Sequence, residues 1–326
     1  MNQSIMISIC CISYNQEKYI KTAIESFLNQ NVGYSFEILI HDDASTDNTP
    51  KIIKEYEARY PNIIKAICNT ENQYSKGIAI NPVFNYPRAR GKYIALCEGD
   101  DYFLDPEKLR KQIDYLEKHP ECHLCFHNAF NVDVNGKVIG DFLPRNDLYK
   151  KFYKNEDSSY SSEEMIALDF IPTNSMVFRR DDILKLPQFY FDNISICGDL
   201  SIRLYLASLG SSFGFAEKMS AYRKGSENSA SQKASQDYES MIKTLNGHIK
   251  ILNDFNDYSN KAFDLAVKDC INYKIFAFLY RIGATFSLKS PEFYPLYRNL
   301  DLKTRMKYSL RTRFGSLYRS VFSVKR

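Results

Sequence analysis

Tryptophan is absent from the 326 residues, so the large aromatic surfaces must come from 24 tyrosines and 22 phenylalanines. Those side chains supply buried area, and their rings and hydroxyls can hold bases and sugars. No apolar stretch approaches the ~20 residues that cross a bilayer, because even the most apolar C-terminal segment carries Lys and Arg. A membrane span is therefore not expected. The first strand candidate begins at Ile5, which leaves no room for a charged n-region, an apolar h-region and a cleavage site, so secretion is not expected either. The cysteines, among them Cys10, Cys11, Cys68 and Cys97, lie mostly within apolar runs of strand character and lack the spacing of a disulfide framework. They read as reduced thiols in the cytoplasm. A net charge of only +4 gives no reason to expect a nucleic-acid partner. No GxGxxG follows an apolar run, which argues against a dinucleotide dehydrogenase, and no internal repeat is evident.

What is present is an alternation of short apolar runs with helical periods. Ile5 to Ile12 fits a buried strand, and Tyr19, Ile20, Ala23, Ile24, Phe27 and Leu28 recur at helical spacing after it. Phe36 to Ile40 predicts a second strand, with Pro50 opening the next helix, and Ile63 to Cys68 and Tyr93 to Cys97 predict a third and fourth. The fold class expected is α/β, an open, mostly parallel twisted sheet with helices on both faces. Pro106 begins a helix, Cys122 to Val132 reads as a strand ending at the Asn135-Gly136 turn, and Arg145 to Ser162 reads as a polar loop over the site. Thr173 to Phe178 is expected to be extended, Gly198 to Leu209 helical and Ser212 to Tyr222 extended. From about Gln236 the pattern turns helical, which divides the chain into a catalytic domain at 1–231 and a helical region at 232–326.

Two carboxylate clusters follow strands. Glu98-Gly99-Asp100-Asp101 concentrates charge that is costly unless a cation neutralises it, and oxygen ligands suit Mn²⁺ or Mg²⁺ bridged to a diphosphate. The alternative is that Asp101 and Asp105 cap the following helix. In Asp42-Asp43-Ala44-Ser45-Thr46-Asp47, Thr46 or Asp47 suits a cap before Pro50, whereas Asp42 and Asp43 lie before any cap position and remain available to a base or ribose. In an open α/β sheet both clusters fall at the carboxyl edge, where ligands collect.

Cys11-Ile12-Ser13-Tyr14-Asn15, Ile40-His41-Asp42-Asp43-Ala44-Ser45-Thr46-Asp47 and Ala89-Arg90-Gly91-Lys92-Tyr93-Ile94, running into Glu98-Gly99-Asp100-Asp101, resemble the family-2 inverting glycosyltransferases of the GT-A fold. The resemblance spans roughly residues 5 to 230 and implies a bacterial surface-polysaccharide enzyme. It implies that Ile12, Tyr14, Asn15, Asp42 and Asp43 surround the nucleotide, that Asp100 contacts the ribose, and that Asp101, with Glu98 beside it, holds the metal. Cys197-Gly198-Asp199-Leu200 matches the family's later helix start, making Asp199 the expected base, with an N-cap as its alternative role and Asp192 as the runner-up base. Thr173 and Asn174 are expected on the acceptor side. Tyr222-Arg223-Lys224 lacks the histidine common there, so Arg223 or Lys224 is expected to neutralise phosphate. The partners implied are a nucleotide-sugar donor, expected to be a UDP-sugar, and a glycan or lipid-linked acceptor.

Cys122, His123, Cys125 and His127 suggest zinc, but alternating strand faces and the lack of a second ligand cluster argue against it. Met306, Leu310, Phe314, Leu317 and Val321 form a stripe in a segment, Lys303 to Arg326, that carries eight basic residues and no acidic one. Such a helix suits an anionic membrane surface or packing on its own domain, so peripheral attachment to the inner membrane face is one expectation. A scaffold protein of the same fold and a nucleotidyltransferase are the competing functions. The usual glycine-rich basic loop of the latter is not seen near the first strand.

Overall fold

The computed structural model describes residues 4–144, 153–168, 170–226, 237–282, 290–291, 293–298 and 305. Strands β1 (Ile7–Ser13), β2 (Phe36–Asp42), β3 (Ile64–Cys68) and β4 (Tyr93–Leu96) run parallel, with β1 between β2 and β4. Helix α1 (Ile20–Leu28) joins β1 to β2, and α2 (Thr49–Arg59) joins β2 to β3. The strands read as unbroken apolar runs because both of their faces are buried. Ile9, Cys11, Ile38, Ile40 and Ala95 pack on one side with Ile20, Ile24 and Phe27 of α1, while Cys10, Leu39, Ile94 and Leu96 enter a second core on the other side.

Beyond β4 the sheet becomes mixed. In chain order come β5 (Tyr102–Phe103), α3 (Lys108–Lys118), β6 (Cys122–Val132), β7 (Val138–Asp141), β8 (Ser158–Tyr160), α4 (Ser162–Ala167), β9 (Val177–Arg179), α5 (Arg180–Ile183), α6 (Gln188–Leu209) and β10 (Ser211–Arg223). The sheet runs β3-β2-β1-β4-β9-β6-β10-β5, with β7 paired to β6 and β8 to β10. Strand β9 is antiparallel to both β4 and β6, and β10 is parallel to β6. Register shifts in β10 between Phe215 and Ser220 bend the strand, so that Ser220 and Ala221 pair with Phe103 and Tyr102 just past the Glu98–Asp101 segment.

Helices α7 (Tyr238–Tyr258) and α8 (Asp264–Ile282) follow, then the short α9 (Tyr294–Arg298). Asp237 caps α7 by accepting from the Ser240 amide at 2.7 Å. Ile251, Leu252 and Phe255 of α7 and Val267 and Cys270 of α8 share a core with Leu200 and Leu204 of α6. Burying each such aliphatic or aromatic side chain contributes about 1.5–3 kcal/mol. Among the described residues, no helix is long and apolar enough to cross a membrane.

Three local expectations change. Arg145 to Ser162 is not irregular throughout: Tyr160 is buried beside Phe126, with ring centroids 5.4 Å apart, and this anchors β8, while Ser161 opens α4 with a capping box. Residues 145–152 lie outside the described residues. Thr173–Ser175 is a 3₁₀ turn, not strand, because Pro172 offers its carbonyl to both the amide and the hydroxyl of Ser175. The helix expected from Gly198 extends back to Gln188 across a break at Cys197. The basic stripe expected over 303–326 lies outside the described residues, Arg305 excepted.

One glycine fixes how closely the β4 approach packs on β1. A Cβ at Gly91 would sit 2.5 Å from the Ser8 amide nitrogen and 2.6 Å from the Ile7 carbonyl carbon, both of them backbone atoms that cannot rotate away. Gly91→Ala is therefore expected to destabilise the fold by about 1–3 kcal/mol or more, which urea titration of the variant against the wild-type chain would measure.

Candidate active site

The two acidic loops flank the end of β1. Ser13 accepts the Asp43 amide at 2.9 Å and Ile12 accepts the Gly99 amide at 2.9 Å, so neighbouring carbonyls of one strand hold both loops at a common edge. Asn15 and Ala44 sit in the left-handed region, at φ 51° and 63°. For alanine this conformation carries strain that the surrounding contacts must hold in place. Asn15 supplies such a contact: its Oδ1 accepts the Thr46 amide at 2.8 Å and its own amide donates to Ser45 Oγ at 2.8 Å.

Asp42, expected at the nucleotide, is turned inward. Ser13 Oγ and Ser45 Oγ donate to its Oδ1 and the Ser45 amide to its Oδ2, and its carboxylate is 1% exposed. Its role is to shape the loop. Burial pushes its carboxyl up, with the serine hydrogen bonds opposing that rise. Asp43 accepts the backbone amides of Gln73 (2.8 Å) and Tyr74 (3.0 Å), one on each oxygen, and so joins the loop to the segment after β3. Asp43 is itself only 2% exposed and its Oδ1 lies 3.7 Å from His41 Nε2, but each oxygen keeps a further lone pair. Asp47 takes the capping role, accepting the Thr49 amide at 2.9 Å and that of Glu17 at 3.0 Å. The Tyr14 ring is 39% exposed and Ile12 is half-buried beside it.

The second acidic loop lies across the cleft. Asp101 is buried; its Oδ2 accepts from Asn174 Nδ2 at 3.0 Å and its Oδ1 from the Arg223 amide at 2.8 Å. Asp105, not Asp101, opens α3: its Oδ1 accepts the Glu107 amide at 2.9 Å. Asp100 accepts from Ser226 Oγ at 2.8 Å. Glu98 is reachable by solvent but hemmed in on most sides. That confinement, then Asp100 and Asp199, push its carboxyl up to about 8. Burial, then Asp100 and Glu98, hold Asp101 well above the ordinary carboxylate range. Thr173 and Asn174, adjacent in one turn, donate to Asp199 and Asp101 respectively, which brings the base candidate close to the acidic loop.

Asp199 does not cap its helix. Cys197 leaves helical geometry at φ −162° and ψ 93°, and Ser201 Oγ reaches its carbonyl at 3.0 Å, so the second half of α6 begins before Asp199. The Asp199 carboxylate instead accepts from Thr173 Oγ1 at 2.6 Å, and burial raises its pKa against the pull of that bond. Asp192 lies elsewhere, on an exposed surface of α6 and bonded to Gln188 at 2.9 Å.

Two of the acceptor-side and phosphate-side expectations are corrected. Asn174 is fully buried and cannot meet an acceptor sugar; its amide bridges Asp101 and the Ala221 carbonyl, and Ser220 Oγ fixes its flip state by donating to Oδ1 at 2.7 Å. The Arg223 guanidinium donates to the carbonyls of Asp100, Asp133 and Val134 and lies 4.3 Å over the Tyr19 ring, which bolts the loop in place of meeting phosphate. Lys224 is exposed just beyond it. His123 pairs with Asp182 at 2.7 Å, and His127 is buried with Nδ1 on the Asn128 carbonyl.

Sequence reasoning missed a polar layer beneath the acidic loop. Lys108 is fully buried, donates to Gln112 Oε1 at 3.0 Å and lies 4.1 Å over the Phe103 ring; burial pulls its ammonium down to about 7. Gln112 in turn donates to the carbonyls of Cys125 and Ser175. The available signal was a polar i, i+4 pair on a helix whose neighbouring positions, Leu109, Ile113 and Leu116, are all core.

The family model described as glycosyl transferase family 2 matches residues 8–183. Uncharacterized protein Rv1520 of Mycobacterium tuberculosis is 44% identical over 184 residues, 54% of this chain and 49% of its own length. The chain thus spans about half the length of that relative. Among solved structures, Staphylococcus aureus TarS 1–349 in complex with UDP-GlcNAc superimposes with a TM-score of 0.52 at 17% identity, covering 95% of this chain and 92% of its own. The mannosyltransferase PcManGT of Pyrobaculum calidifontis, in complex with GDP-Man and Mn²⁺, gives 0.53 at 13% identity over 96% and 88%. These likenesses show the fold to be that of the GT-A glycosyltransferases.

Proposed function

This chain belongs to glycosyl transferase family 2, and we propose that it moves one sugar, with inversion, from a nucleoside diphosphate donor to a hydroxyl of a growing surface glycan or lipid-linked oligosaccharide. UDP is the nucleotide we favour. The observation that carries this reading is that adjacent residues of one 3₁₀ turn hold the base candidate and the acidic loop: Thr173 donates to Asp199 at 2.6 Å and Asn174 to Asp101 at 3.0 Å.

In the proposed reaction the acceptor hydroxyl gives its proton to Asp199 as its oxygen bonds the anomeric carbon, and the bond to the diphosphate breaks with its electron pair on the leaving oxygen. The Thr173 hydroxyl holds Asp199 Oδ2 and leaves Oδ1 to receive the proton. The raised pKa of Asp199 suits a base, bringing it nearer to neutral operating pH. Ile12 and Tyr14 line the base, and Asp43, anchored by the Gln73 and Tyr74 amides, offers its remaining lone pairs to it.

The residues fit a divalent cation. Glu98, Asp100 and Asp101 supply hard oxygen ligands, and burial pushes all three carboxyls towards the protonated form, with neighbouring carboxylates adding to the rise at Glu98 and Asp101 and Arg223 opposing it at Asp100 and Asp101. Among the described residues, no three His, Cys, Asp or Glu side chains form a metal-holding group by themselves. Mg²⁺ and Mn²⁺ usually bind one or two carboxylates plus substrate phosphates. Asp101 would hold the ion, Glu98 would assist, and the ion would offset charge developing on the diphosphate. The test is a thermal-shift screen of UDP-, GDP-, CDP- and TDP-sugars with and without Mn²⁺. A donor-specific, metal-dependent rise in Tm is expected, and a flat response to every donor would reject the reading.

A further inference from the structure

We propose that helix α7 positions the base from outside the cleft, by clamping the half of α6 that precedes the break at Cys197. This rests on Asp199 being the base. The break is a single non-helical residue, so the direction in which Asp199 projects depends on how the segment before it is held. Two independent contacts from α7 hold that segment.

The first contact is steric. Ile196, the last residue before the break, lies so close to α7 that a Cβ at Gly247 would come within 2.5 Å of its Cγ2. That atom sits on a β-branched carbon next to the backbone, so relieving the clash means turning the side chain off the helix or moving the chain. Glycine in the interior of a 21-residue helix costs about 0.5–1 kcal/mol relative to alanine, and close packing accounts for its presence here.

The second contact is polar. Asn193, fully buried one turn earlier, donates to Asp254 Oδ2 at 2.7 Å and accepts from Lys250 Nζ at 3.0 Å, while Lys250 and Asp254 pair at 2.6 Å. The three residues close a ring across the α6–α7 interface. Asn193 also donates to the Phe189 carbonyl at 2.8 Å, tying the ring to the backbone of α6. Neither contact touches the nucleotide side of the cleft. The clamp should therefore govern transfer and leave donor binding alone.

Gly247→Ala, Ile196→Ala and the double variant test this. Hydrogen exchange over residues 194–203 is expected to rise in Gly247→Ala and to return to the Ile196→Ala level in the double variant, because removing Cγ2 removes the clash. With UDP-GlcNAc and Mn²⁺, and GDP-mannose and Mn²⁺, as probes, the kcat for nucleotide release should fall about tenfold or more in Gly247→Ala with donor KM unchanged, and recover in the double variant. Exchange over 194–203 that does not respond to Gly247→Ala, or a kcat loss that Ile196→Ala does not rescue, overturns the clamp. Asp199→Asn run in parallel separates the two ideas. Full turnover in that variant removes the base assignment, whereas lost turnover alongside an indifferent Gly247→Ala removes only the clamp.

Discussion

Asp199→Asn is expected to lower kcat by about 10²–10⁴-fold while donor KM stays close to that of the wild-type chain. The amide keeps the shape of the carboxylate, and the Thr173 hydroxyl can still donate to its remaining oxygen, so the fold and the break at Cys197 should persist. What disappears is the acceptor of the proton. In the proposed reaction donor affinity rests on Tyr14, Asp43 and Asp101 and not on Asp199, so kcat and KM should separate. Asp192→Asn serves as the control, because its carboxylate lies on the exposed surface of α6 against Gln188 and should leave turnover unchanged. The pH profile gives a second signature. Asp199 must be ionised to act, and burial raises its pKa, so the acid limb of kcat should lie above the ordinary carboxylate range. Equal loss in both variants, or an Asp199→Asn enzyme at wild-type rate, would remove Asp199 from the reaction.

The first half of the fold was legible because both faces of its parallel strands are buried and the chain spells this out as unbroken apolar runs. Cys10 and Cys11 point into different cores, yet both had to be apolar. The acidic loops were legible as clusters, but the direction each carboxylate faces was not. Asp42 and Asp43 are adjacent, and what separates their roles is a pair of serines for one and the amides of residues 30 positions away for the other. No local pattern carries that distinction. The same holds for Asn174, a small polar residue near the site, which turned out to steer Asp101 from beneath. Past β4 the chain reverses direction through β9, and a three-residue strand leaves too short a period to read. The break in α6 was invisible for another reason. Cys197 has no special helix-breaking character, and the residues packed around the break, Thr173 on Asp199 and Gly247 against Ile196, are far away in sequence.

Asp101→Asn should abolish the effect of Mn²⁺ on thermal stability, and the wild-type effect should grow with pH. The sign follows from the direction of the shifts. Glu98 titrates near 8 in the folded chain, and Asp100 and Asp101 are also raised, so the native state retains protons that the unfolded chain has already released. Stability from these groups is complete below their ordinary pKa values and is lost as pH rises through the folded ones. The metal-free protein should therefore weaken between about pH 4.5 and about pH 8. A divalent cation binds only the ionised carboxylates, so its contribution runs the other way, small in acid and full once the protons have left. At a free Mn²⁺ concentration about 100 times Kd the gain is ~2.7 kcal/mol, or roughly 4 °C in Tm for a chain of this size. In Asp101→Asn the principal charged ligand is gone, and Glu98, with one fewer carboxylate beside it, should titrate lower. Melting curves across that pH range, with and without Mn²⁺, decide the matter. A Mn²⁺ shift independent of pH, or one that survives in Asp101→Asn, would place the cation elsewhere.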